Sequence, residues 1–245
     1  MKMSTKKKVL AAALIVSLIA ILSFGTLAWF NATDTATNTF KIAKSDDPSN
    51  DPDFKVEVFE TDENGDETDG LEFTDVAPGA ELDKDPTVRN TGDYGLYARL
   101  VVTLSDAATW KAAATRYSLA TDANNVLEAI VDGINAHWVR FDNPVFDATA
   151  DTLTYVYYYD AVVAKAADAP NNETEPLFTK VEIPGAFEQS DMDYGTDGLF
   201  TVTVRADAVQ SDNILDPSAT VTGNEAYQAF SNANWAAGAD YPSVP

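Results

Sequence analysis

Asp62, Asn64 and Asp66 alternate along DENGDETDG, residues 62–70, and alternating oxygen ligands are how a calcium-binding loop begins. The pattern then fails. Its sixth position is Glu67, where the loop needs glycine for its sharp turn, and its twelfth is Phe73, where a glutamate would close the shell. The same residues also read as a hairpin turn, because Asn64-Gly65 tolerates positive φ between two β-rich runs. The sole histidine, His137, stands beside Trp138. A zinc peptidase of the H-E-x-x-H kind needs two histidines one helical turn apart, which one histidine and no cysteine cannot supply. Serine hydrolysis would have to rest on His137, and no G-x-S-x-G elbow is present. Nor is there a glycine-rich phosphate loop. Tyr155, Tyr157 and Tyr159 alternate in YVYYY, which suits a carbohydrate-stacking face less well than one packed side of a strand. No catalytic residue, metal site or cofactor is expected, and the chain is read as a non-enzyme.

The bond that chemistry does single out is Ala28–Trp29. Lys2, Lys6, Lys7 and Lys8 form a basic start, Val9 to Leu22 is apolar apart from Ser17, and Thr26 and Ala28 are small residues spaced for a signal peptidase. A cut after Ala28 makes residues 1–28 a signal peptide and Trp29 the new N-terminus. The competing reading is a retained anchor, since nothing is charged from Val9 to Phe30. Either way the lysines stay inside and the rest is exported. Removing that segment leaves 12 basic against 39 acidic residues, a net charge of −27. So acidic a chain is repelled by phosphate backbones, which excludes nucleic acid as a natural partner.

The elements that must position any site are strands. Leu96, Ala98, Leu100, Val102 and Leu104 alternate in LYARLVVTL and predict a half-buried strand. Leu153, Tyr155, Tyr157 and Tyr159 share a second strand's face, and Phe200, Val202, Val204, Ala206 and Ala208 a third's, opposite Thr201, Thr203, Arg205 and Asp207. FKVEVF and LEFTDV flank the Asn-Gly turn as hairpin arms. An alanine-rich stretch at about residues 107–137 interrupts the pattern. Val126, Leu127, Ile130, Val131 and Ile134 recur at helical spacing there, with Asn124 or Asn125 as N-cap, which predicts one or two short helices. The fold class expected is mainly β, a jelly-roll-like antiparallel β-sandwich over residues 54–245 with those helices inserted. Residues 44–53, low in complexity, read as a flexible hinge.

GTLAWFNATDTATNTFKIA, residues 25–43, resembles the N-terminal signature of the TasA/camelysin family, with Gly25, Thr26, Ala28, Phe30, Asn31, Thr39 and Phe40 fitting. VAPGAELDKDPTVRNTGDYGLYARLVVTL and the later YVYYYDAVV and LFTVTVRADAV runs are similar to further strands of such proteins. The resemblance implies export from a Gram-positive bacterium through a SipW-type signal peptidase, the same jelly-roll fold, and a place in biofilm matrix fibres. It also brings the metalloprotease activity claimed for some members, whose zinc site these residues cannot build. In such a cell the Asn31 and Asn172 sequons carry little meaning.

Residues 29–43, with Trp29, Phe30, Asn31, Thr39, Phe40 and Ile42, are rich in strand formers and sparse in charge. Tethered by the hinge, such a segment can add to the sheet edge of a neighbouring molecule. That contact is head-to-tail, and when repeated it builds a filament. The expected partner is therefore a second copy of the chain, with accessory matrix or anchoring proteins beside it. The alternative is that 29–43 is the first strand of its own domain, in a monomeric secreted hydrolase (camelysin-like peptidase) or a carbohydrate- or surface-binding protein. For the exported chain, mass spectrometry is expected to find Trp29 as the first residue; recovery of only the full-length, membrane-held chain would contradict the cut.

Overall fold

The computed structural model describes residues 31–33, 35–36, 55–62, 64–68, 70–73, 76–188, 199–212, 214–215 and 224–233. The expected signal segment 1–28, the hinge 44–53 and the site residues Ala28, Trp29, Phe30, Thr39, Phe40 and Ile42 lie outside them. The described chain is mainly β, with antiparallel sheets and few helices.

Three long strands form its centre. β8 (Leu96–Ser105) pairs antiparallel with β11 (Thr152–Tyr159) on one side and with β14 (Val202–Gln210) on the other. The alternation expected in all three holds. Leu96 to Leu104, Leu153 to Tyr159 and Val202 to Ala208 turn their apolar sides into one core with Val56, Val58 and Val88. The half-buried expectation for β8 is corrected, because Tyr97, Arg99 and Val101 on its other side are buried too. Beyond β11 lie β9 (Trp138–Val139) and β10 (Val145–Asp147), and beyond β14 lies β2 (Thr35–Ala36).

Smaller sheets line the same core. β3 (Val56–Thr61) sits between β4 (Glu67–Thr68) and β7 (Thr87–Asn90), and β6 (Glu81–Asp83) pairs with β12 (Lys180–Glu182). The Asn-Gly turn forms as expected, with Gly65 at φ 84, but the arm that returns is β4, not LEFTDV. The turn is too tight to reach further. Asp62 Oδ1 accepts the Asn64 and Asp66 amides, both at 2.9 Å, which closes the reversal within five residues. β5 (Glu72–Phe73), from LEFTDV, pairs instead with β1 (Asn31–Thr33), which on its other side runs parallel to β13 (Leu199–Phe200).

The alanine-rich insert forms two helices, α1 (Ala107–Tyr117) and α2 (Val126–Ile130). Ala107, Trp110, Ala113 and Ala114 make the buried stripe of α1. Its first turn is capped from outside: the Asp151 carbonyl takes the Ala107 amide and the Asp151 carboxylate takes that of Ala108 at 2.8 Å. The insert ends sooner than 137. Val131 is extended and bridges Val181, so Ile134 and His137 fall beyond the helix. A third helix, α3 (Glu225–Asn232), is absent from the sequence expectations. Its signal is Asn224, whose side chain accepts the Tyr227 amide, ahead of Ala226, Ala229 and Phe230 on one face. That face covers the outer side of the sheet at Tyr97, Val156, Tyr158 and Val209.

Asn172, the sequon asparagine, is buried and donates through Nδ2 to the Asn90 carbonyl at 3.1 Å. Trp110 is fully buried, 5.4 Å from the Phe187 ring. Trp110→Ala is expected to cost about 3–5 kcal/mol, read as a fall in the denaturant midpoint at unchanged slope; a loss under 1 kcal/mol would show that α1 is dispensable to the core.

Candidate functional site

A strand inside a sheet needs a neighbour on each side for its N–H and C=O groups. β14 has one complete neighbour: all nine of its residues are in register with β8, from Val202↔Leu104 to Gln210↔Leu96. On its other side, among the described residues, only Thr203 and Val204 are matched, by Thr35 and Ala36 of β2. From Arg205 to Gln210 that edge carries no described strand. The core side of this stretch is made of the small residues Ala206 and Ala208, both buried.

The chain brings its own N-terminal segment to this edge in one register. Asn31 lies against Leu199, Ala32 against Phe200, Thr35 against Thr203 and Ala36 against Val204. The partner number is larger by 168 each time, and all the pairs are parallel. Asn31 is thus the one expected site residue whose backbone the structure describes.

The outer face of the stretch from Arg205 to Gln210 is fixed by charge. Asp207 stands opposite Arg99 on β8 and accepts from its Nη2 at 2.8 Å and its Nε at 3.0 Å. Arg205, two residues back on the same face, donates from Nε to the other Asp207 oxygen at 3.1 Å. All three side chains are buried, so two guanidiniums share a desolvated carboxylate. The Arg99 guanidinium also lies 4.5 Å above the Phe230 ring of α3. Nearby, the Tyr97 hydroxyl donates to Glu225 at 2.9 Å; burial first, then that carboxylate, push its pKa up to about 12. β14 is therefore clamped to β8 and α3 through its outer face.

The residues weighed for other chemistry do not converge. His137 is exposed, its Nδ1 2.9 Å from Asp160 Oδ1, and that hydrogen bond raises its pKa. Asp62, Asn64 and Asp66 are tied into their own turn. Among the described residues no group of three or more His, Cys, Asp or Glu side chains could hold a metal ion. Tyr155, Tyr157 and Tyr159 point into the core; the Tyr155 hydroxyl accepts the Leu127 amide and donates to the Asn124 carbonyl, fastening the start of α2. An open pocket of about 400 Å³ lies between Glu128, Ile134, Trp138, Val139, Arg140 and Tyr157. Its cation is already engaged, since Arg140 bonds Glu128 at 2.9 Å, the Asp142 carbonyl at 3.1 Å and Asn125 Oδ1 at 3.2 Å. No described helix is long and apolar enough to cross a membrane.

Comparison with protein-family models, with characterised proteins and with solved structures finds no match. The likeness of residues 25–43 to the TasA/camelysin signature rests on the sequence motif.

Asp207→Asn is expected to destabilise the fold by about 3–5 kcal/mol, because it removes the charge that two buried guanidiniums share. Arg205→Met, which keeps the Arg99–Asp207 pair, should cost clearly less; equal losses in chemical unfolding would contradict the shared-carboxylate account. In a proton NMR titration the His137 imidazole should have its midpoint above that of free histidine, and Asp160→Asn should lower it. The small, solvent-screened stabilisation from that pair is full at pH below the unfolded pKa and fades as pH rises through the raised one.

Proposed function

We propose that the chain is a secreted structural subunit of an extracellular fibre, a jelly-roll-like β-sandwich that polymerises when its N-terminal strand completes the β14 edge of a neighbour. The observation that carries this reading is the pairing of described residues among 31–36 along 199–204 at one constant register, beside the stretch from Arg205 to Gln210 that no described strand pairs on that side. A neighbour's strand continued at that register would set Thr39 beside Asp207, Phe40 beside Ala208 and Ile42 beside Gln210. In parallel strands, partners share a face. Phe40 would then lie on the core face of the sheet, beside Ala208. The backbone bonds supply affinity and the Phe40 pocket supplies specificity.

In the single chain the first part of the segment lies on its own edge. The exchange from own edge to a neighbour's is nearly neutral per hydrogen bond. The signal segment would gate the process. While residues 1–28 are attached to the membrane, Trp29 and Phe30 cannot reach another subunit, and a SipW-type peptidase would release them. Accessory matrix or anchoring proteins fit at the fibre's ends, where one edge and one strand are left over. The resemblance to the TasA/camelysin family is in keeping with this role. The second reading, an own-fold first strand in a monomeric hydrolase or binding protein, draws on the same intrachain pairs.

Deleting residues 29–43 separates the two. The account expects a soluble monomer that unfolds cooperatively, forms no filaments under negative stain, and binds a synthetic Trp29–Ala43 peptide. Phe40→Asp should impair assembly far more than Thr35→Asp, because burying the ring contributes about 1.5–3 kcal/mol and a buried carboxylate opposes it. A deletion variant that melts far below the parent, or that still makes normal filaments, removes the donated-strand mechanism.

A further inference from the structure

Away from the β14 edge, two reactive groups meet in a dry site. Glu60, in β3, is fully buried, and Lys84, between β6 and β7, is 1% exposed. Lys84 Nζ lies 2.5 Å from Glu60 Oε1. The other carboxylate oxygen, Oε2, is buried with no hydrogen-bond partner. An ion pair leaves this arrangement incomplete, since a carboxylate spreads its charge over both oxygens and here one of them has nothing to meet it. An amide would need one oxygen and one N–H from the same atoms.

We propose that Lys84 and Glu60 are joined by a self-formed amide bond between Nζ and Cδ. A proton passes from the ammonium to the carboxylate, giving a neutral amine beside a carboxylic acid. Burial, the largest influence on Glu60, raises its pKa, and the charge of Asp85 adds to this, while Lys84 opposes it. The amine attacks Cδ, the N–C bond forms, and a C–O bond breaks. Of the three Nζ protons, one stays on the amide and two leave with the departing oxygen as water. The charges balance and no oxidant or other reactant is required. The two backbones hold the amine within hydrogen-bond reach of the carboxyl group, which replaces a bimolecular encounter with an intramolecular one. Exclusion of water then protects the product from hydrolysis.

The bond would close residues 60–84 into a covalent loop, fastening β3 to the β6–β7 connection in a chain that has no cysteine to do so. It is independent of fibre formation: either can hold without the other.

The test is the intact mass of the full chain, denatured after native purification. The expected value is lighter than the sequence mass by one water. Digestion at Glu63 and Glu67, which lie between the two residues, should release a branched peptide containing both Glu60 and Lys84. Lys84→Arg and Glu60→Ala should each restore the full mass and remove the branched peptide. The wild-type peptide stands as evidence of the bond even where a variant folds poorly. A full, unmodified wild-type mass overturns the proposal. So does a one-water deficit that survives Lys84→Arg, which would place the dehydration elsewhere, for instance as a succinimide in the Asp62–Asp66 turn.

Discussion

Backbone hydrogen bonding sets the terms for this molecule. Every N–H and C=O buried in a sheet must find a partner, and water cannot reach the inner strands to supply one. β8 meets the requirement fully, with β11 on one side and β14 on the other along nearly its whole length. That makes it the axis on which both cores are built, the large one on its Leu96–Leu104 face and the small one under α3. On the second side of β14, among the described residues, Thr203 and Val204 are paired, by the N-terminal segment. The proposed function builds on that edge: a strand from the next molecule would complete it.

Charge supports the same division. A chain with net charge −23 repels copies of itself, so association needs a contact that is short-ranged and directional. A β-edge is both. The buried Arg99–Asp207–Arg205 cluster ties β14 to β8 in register. The ion pairs elsewhere are mostly half-exposed, such as Arg89 with Glu67 and Glu173, and contribute little beyond local geometry. Among the described residues, Lys84–Glu60 differs from these, buried as deeply as the aliphatic core.

Where a segment's own alternation or turn chemistry decides its structure, the sequence was readable. The faces of β8, β11 and β14 follow from period-two patterning, and the Asn64-Gly65 reversal follows from positive φ at Gly65. What depends on distant partners was not. Asp62 tightens the hairpin so that β4 is the returning arm, and LEFTDV is left for β1. Val131 leaves the helical spacing to bridge Val181, fifty residues on. Arg205 and Asp207 are visible as the polar face of a strand, but their burial depends on Arg99 across the register and on α3 above it. The candidate edge shows the same split: strand-forming composition in 29–43 is local, whereas its pairing beside β14 is a property of the assembled sheet.

The most direct test is a disulfide between subunits. Paired residues of adjacent strands stand about 4.8 Å apart, within disulfide reach, and the chain has no native cysteine to interfere. Ile42→Cys and Gln210→Cys, placed in one chain and oxidised after assembly, would report which molecule supplies the strand. The account predicts a ladder of covalent multimers on a non-reducing gel that collapses to monomer on reduction. A quantitative intrachain link, with the protein running as monomer before and after reduction, would contradict it.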